Sequence, residues 1–143
     1  MHLIGVIALA SGLFAQVLKL VVGLLRDRRF QPSLLIASGG MPSSHTAVVT
    51  TLSLLVANRE GIGSPLFSVV FIFSLYVVFE ATGLRQEVGK QAIILNDLVD
   101  ELITRHHIDQ LRLRELVGHT WVEVGGGFLC GIIVYIVASE LWG

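Results

Sequence analysis

The chain has 143 residues, of which 53% are hydrophobic and only 15% are charged, and its mean hydropathy is +0.76. Soluble domains carry about a quarter charged residues, so this composition excludes an ordinary water-soluble enzyme and points to an integral membrane protein. The formal net charge of −1, with charges not blended along the chain, argues against nucleic acid as a partner.

The first apolar run, Leu3 to Leu25, is interrupted by Gln16 and Lys19 and closed by Arg26-Asp27-Arg28-Arg29. It is long enough to cross a bilayer core, which takes about 20 residues. Without a basic start or a small-residue cleavage site it reads as a retained helix. Phe30 to Ala37 forms a short connection containing Pro32. Ser38-Gly-Gly-Met-Pro-Ser-Ser-His45-Thr-Ala47 then opens straight into an apolar helix. In that loop Gly39 and Gly40 let the backbone approach a ligand, Pro42 fixes the turn, and Ser43 or Ser44 caps the helix. The result is a ready anion site at the positive end of a helix, with His45 placed to exchange a proton. Taken alone, the same stretch reads equally well as a helix cap beside a stray histidine. The helix runs from about Ser44 to Asn58, short for a full span, and so needs shielding by its neighbours or entry from a loop that dips into the membrane.

Arg59 to Pro65 reads as a turn, and Leu66 to Phe79 is a span without charge that ends at Glu80-Ala-Thr-Gly-Leu-Arg85. From Leu84 to Ile103 the pattern changes. Leu84, Val88, Ala92, Leu95, Val99 and Leu102 recur every three or four residues among charged ones, which predicts an amphipathic helix lying on the membrane surface or over the ends of the spans. Thr104 to Val117 is polar and basic, with His106 and His107 expected in solvent. After Gly118 a last apolar helix runs from about Thr120 to Trp142, with Trp121 and Trp142 at interfacial positions. Cys130, the only cysteine, is expected as a small core residue of that helix. Gly127 and Gly131 are one turn apart, a spacing that favours close helix packing and allows a homodimer without requiring one. The expected architecture is all-α: a single domain over residues 1–143, an integral membrane bundle of about four transmembrane helices plus an amphipathic interfacial helix.

Four alternating spans bring the end of the first, the start of the second, the end of the third and the start of the fourth to one membrane face. That face receives Arg26, Arg28, Arg29, Arg85, Lys90, Arg105, Arg112 and Arg114, whereas the other keeps Arg59. The positive-inside rule makes the cation-rich face cytoplasmic. Lys19, Arg26, Ser44, His45, Arg85, His119 and Glu123 gather there. Lys19 and Arg26 are seven residues apart, roughly 10 Å along one helix face, a spacing that suits one anion. Lys19 alone also fits a snorkelling anchor. His119 and Glu123 are four apart, so the carboxylate can hold the imidazole, either as a structural ion pair or as part of a reactive site. His45, His119 and Glu123 are also ligand types that suit zinc, but the flanking cations would repel the ion.

These residues resemble a known family. Lys19 and Arg26 with six residues between, then Pro42-Ser43-Ser44-His45, then His119 with a carboxylate four residues later are similar, in order, to the three signature motifs of the type 2 phosphatidic acid phosphatase superfamily. Gly83-Leu-Arg85 with Gly89-Lys-Gln-Ala92, and Gly118-His-Thr120 with Glu123-Val124, resemble its small divergent branch, the acid phosphatase and vanadium-dependent haloperoxidase related membrane proteins.

The resemblance implies phosphoryl transfer without metal or cofactor. The histidine matching His119 attacks phosphorus, the carboxylate matching Glu123 orients it, and the histidine matching His45 protonates the leaving alcohol. Lys19 and Arg26 match the residues that hold the phosphate oxygens, supplemented by amides at Ser43, Ser44 and His45. Asp27, Ser44 and Glu123 depart from the superfamily's proline, glycine and aspartate, and Leu113 stands where the third motif has arginine; Arg85, Arg112 or Arg114 must replace it, and Arg85 is preferred. The expected function is a lipid-phosphate phosphatase at the cytoplasmic interface of the bilayer, with a phosphatidylglycerophosphate- or phosphatidate-like substrate. The alternative is a catalytically inactive lipid-head-group binding or assembly protein, for which Leu113 is the best support.

Overall fold

A computed structural model describes residues 3–28, 40–106 and 119–142, without the side chains at 26–27, 84–86, 101–106 and 142. The connection Phe30–Ala37, residues Ser38 and Gly39 of the loop, and the polar segment with His107, Arg112, Leu113 and Arg114 lie outside the described residues. The described chain forms five helices: α1 (Leu3–Asp27), α2 (Ser44–Glu60), α3 (Pro65–Thr82), α4 (Leu84–His106) and α5 (Trp121–Trp142). The all-α membrane bundle expected from sequence is what the chain builds.

The bundle is packed through its small residues. On α1 the buried side chains are Ala8, Ser11, Ala15 and Lys19, while Leu3, Val6, Leu9, Leu13, Val17, Val21 and Leu25 face outward. In water this would be an inverted helix. In a bilayer the surroundings are as apolar as leucine, so large hydrocarbon side chains gain little from a protein partner, and small residues that let backbones approach decide which face packs. Buried Cys130 joins Ala15 and Ala47 in this small-residue core, as its apolar setting in the sequence suggested.

Helix α2 is the centre, in contact with α1, α3 and α5. Ser43 caps its start, accepting from the Thr46 N–H at 3.3 Å. Against α5, Gly131 fits where a Cβ would stand 2.8 Å from the Ala47 carbonyl oxygen and 2.7 Å from the Thr50 Cβ, and a Cβ on Gly127 would run into the Ser43 carbonyl. The Thr51 hydroxyl donates to the Gly131 carbonyl at 3.0 Å, and toward α3 the Ser53 and Ser74 hydroxyls meet at 2.9 Å. The Gly127/Gly131 face is therefore occupied inside the chain. The close helix packing that its spacing favours is made with α2.

Three segments are long and apolar enough to cross a membrane among the described residues: Leu3–Leu25, Pro65–Asp100 and Trp121–Leu141. Helix α2, with 17 residues, rises about 25 Å, less than the hydrocarbon thickness of about 30 Å. It is the fourth helix of the bundle, sheathed on three sides, which is how a short and hydroxyl-rich segment is accommodated.

Helix α3 begins at Pro65, with Ser64 accepting from the Phe67 N–H, and ends at Gly83, whose N–H donates to the Phe79 carbonyl. Beyond that break, α4 packs only on α3 among the described residues. Its buried positions are Gly89, Ala92 and Asn96, whereas Val88 and Leu95 are exposed. Ala92 of the predicted apolar stripe is thus buried, while its larger members Val88 and Leu95 face outward, as on a helix whose apolar side meets lipid. The reason is the one that governs α1.

Candidate functional site

The membrane ends of four helices meet at the start of α5. The His119 N–H donates to the Ala81 carbonyl at the end of α3 at 2.9 Å, and the Ser43 N–H donates to the Glu123 carbonyl at 3.0 Å. Gly40, at φ +98, leaves room for Lys19 of α1, whose Cδ would be 3.4 Å from a Cβ placed there. A residue with a side chain would be strained at this φ and would also press on the lysine stem. The end of α1, the start of α2, the end of α3 and the start of α5 therefore share one end of the bundle, as alternation of the spans requires.

His119 is 1% exposed. Its Nδ1 is 3.1 Å from the Glu123 Oε2, and the same carboxylate oxygen accepts the Thr120 N–H at 3.0 Å. The Thr120 hydroxyl in turn accepts the Glu123 N–H at 3.3 Å. Thr120 and Glu123 are thus the two halves of a capping box, each side chain satisfying an amide that the first turn of α5 leaves without a helical partner. This role was missed in the sequence, although Thr-Trp-Val-Glu ahead of an apolar run is its signature. A carboxylate at Glu123 can only accept, so it would favour the tautomer that carries the proton on Nδ1 and the lone pair on Nε2.

His45 lies in the first turn of α2, with its ring centroid 6.0 Å from that of His119, edge to face. It is exposed where His119 is sealed. Lys19 is 2% exposed. This burial does not fit an anchor that reaches to the interface. Ser43 is buried; its N–H donates to the Glu123 carbonyl, and its hydroxyl oxygen accepts from the Thr46 hydroxyl at 3.0 Å. Its observed work is to fasten α2 to α5, and the amides of Ser44 and His45 are the ones that head the helix.

Of the residues singled out in the sequence, the fold brings Lys19, Ser43, Ser44, His45, His119 and Glu123 to one end of the bundle. Arg26 shares the α1 face of Lys19 by its spacing, and Arg85 lies at the start of α4, but the side chains of both lie outside the described residues. Among the described residues no three His, Cys, Asp or Glu side chains cluster as metal ligands do.

A groove of about 640 Å³ opens beside His45, walled by Leu9, Gly12, Leu13 and Gln16 of α1, Ser44, Val48 and Val49 of α2, and Phe73 and Val77 of α3. Nothing in the periodicity of these helices announces it, because it is a gap between three of them.

A small helical membrane protein with a carboxylate-held histidine facing a second histidine and a buried lysine defines the class. Residues 2–134 match the Divergent PAP2 family, and the chain belongs to that family. It is 40% identical over 143 residues to the uncharacterized membrane protein YuiD of Bacillus subtilis (strain 168), covering 92% of this chain and 90% of that one. No solved structure matches.

Proposed function

We propose that this protein is a lipid-phosphate phosphatase that hydrolyses a phosphomonoester through a phosphohistidine on His119, at the cytoplasmic face of the membrane. The observation that carries the reading is the His45–His119 pair at 6.0 Å between ring centroids, with Glu123 holding the far nitrogen of His119. A displacement at phosphorus needs a nucleophile with its lone pair aimed by a partner, an acid for the leaving group, and positive charge for the equatorial oxygens. Glu123, His45 and Lys19 match those needs in turn.

In the first step the His119 Nε2 forms a bond to phosphorus as the bond from phosphorus to the lipid oxygen breaks, and His45 gives its proton to that oxygen. Glu123 stabilises the positive charge that develops on the ring. In the second step water attacks the phosphohistidine, His45 takes the water proton, and inorganic phosphate leaves with His119 restored. Lys19 and the first-turn amides of α2 neutralise the phosphoryl oxygens throughout, joined by Arg26 and Arg85. Because His119 is sealed and His45 exposed, the phosphoryl group enters past the His45 ring. A phosphatidate- or phosphatidylglycerophosphate-like lipid meets these requirements without leaving the bilayer.

The test is to mix purified protein with phosphatidate labelled in its phosphate, quench in alkali, and map the label by mass spectrometry. The reading expects an alkali-stable, acid-labile label on His119 that is absent from His119→Ala. Saturable phosphatidate binding with neither label nor released phosphate would instead favour the non-enzymatic head-group binder, which Leu113 at the third-motif arginine position supports.

A further inference from the structure

The groove beside His45 has no part in the chemistry just described. It follows α1 from Gln16 back to Leu9, a rise of about 10 Å, roughly a third of the hydrocarbon depth of a bilayer. Polar groups sit only at its mouth, where Ser44, His45 and Gln16 meet; the rest of its wall is aliphatic or aromatic. Leu9, Leu13 and Phe73 on its rim are among the outward-facing residues of the bundle, so it is open sideways to lipid. Its floor exists because Gly12 lets α1 lie against Val48, where a Cβ would come within 2.6 Å of the Val48 Cγ2.

We infer that this groove is a binding site for one hydrocarbon chain of the phosphate-bearing lipid, entered laterally from the bilayer, and that it sets which chains the protein accepts. His45 belongs both to the histidine pair and to the mouth of the groove, so a phosphate held at His45 leaves the first carbons of its own chain at Ser44 and Gln16 and the rest along Leu13, Leu9 and Phe73. A peptide or a second helix would have to bring unpaired backbone polar groups into an apolar channel at membrane depth, whereas an alkyl chain brings none. The volume is within the usual range for small-molecule sites, about 300–1,000 Å³.

The inference rests on the phosphatase reading for its substrate, but its test does not depend on turnover. Phosphatidate carrying a diazirine in mid-chain is incorporated into phosphatidylcholine nanodiscs with the protein, photolysed, and the adducts mapped. A parallel sample uses phosphatidylcholine with the same diazirine chain. Adducts of the phosphatidate probe are expected to concentrate on Leu9, Leu13 and Phe73 over the outward-facing Leu129 and Ile133 of α5, and those of the phosphatidylcholine probe to show no such preference. Leu13→Trp, which fills the channel from an exposed position, should reduce groove adducts roughly tenfold, equivalent to about 1.4 kcal/mol of binding, and Ile133→Trp should leave them unchanged. Equal labelling of the groove by both probes, or groove adducts insensitive to Leu13→Trp, overturns the inference. Groove-selective labelling without phosphate release would leave the chain site standing and count against the catalytic reading alone.

Discussion

Helix α2 meets its neighbours in two different ways. Toward α5 the contact is closed: Ser43, Ala47 and Thr50 lie directly against Gly127 and Gly131, and a hydroxyl ties the two helices at Thr51. Toward α1 and α3 the same helix leaves a groove of about 640 Å³. The closed side aligns the start of α2 with the start of α5, and so sets His45 beside His119; the open side gives the same histidine a route to lipid. One short helix serves as both the ruler and the doorway because its small residues face one neighbour and its Val48 and Val49 border the gap. In a membrane a gap of this kind has a low cost, since hydrocarbon fills it as well as a side chain would.

Substitutions that break the closed side should have the largest effect. Gly131→Leu would drive a side chain into the Ala47 carbonyl and Thr50, costing about 3 kcal/mol or more, and should abolish recovery of folded protein from detergent. Gly5→Leu, at a glycine with nothing within 4 Å, should leave the thermal midpoint in place.

Next comes Glu123, which separates the structural role of the closed side from its chemical one. Glu123→Gln keeps the capping geometry and removes the charge beside His119. It should keep the thermal midpoint while phosphate release falls about tenfold, a loss of roughly 1.4 kcal/mol in transition-state stabilisation. Glu123→Ala should lose both, with a further stability cost of about 1 kcal/mol.

Thr51→Val removes the hydroxyl that reaches Gly131 and should cost only about 0.6 kcal/mol, measured by unfolding in mixed micelles. The smallest effect is expected on the open side, where Phe73→Ala widens a wall that already faces lipid. Its stability change should stay within about 0.5 kcal/mol, and a loss of several kcal/mol there would mean that the groove wall is a packed core.

The order of the helices, the membrane class and the shared end of four helices could all be read from apolar lengths and charge placement, because those follow from bilayer thickness and topology alone. The meeting of Lys19, His45, His119 and Glu123 was readable for the same reason. Packing faces were not. On α4 the predicted apolar stripe splits: Ala92 is buried beside Gly89 and Asn96, while Val88 and Leu95 face outward, because hydrophobicity marks the inside of a protein only when water is outside. Gly127 and Gly131 signalled a close contact correctly, but spacing alone does not say whether the partner is α2 or a second chain. The Thr120–Glu123 box was available in the sequence and was obscured by the more conspicuous His119–Glu123 pair.

The central claim is that two histidines at one end of the bundle hydrolyse a lipid phosphate. Its most direct test measures phosphate released from phosphatidate, phosphatidylglycerophosphate and a prenyl phosphate in mixed micelles, with and without chelator, by the wild-type protein, His45→Ala and His119→Ala. Chelator-insensitive release is expected from at least one of the lipids, with none from His119→Ala and a loss of about 10²- to 10⁴-fold with His45→Ala, all in folded protein. Full activity in either variant, or no release by the wild type from any lipid, would contradict the claim.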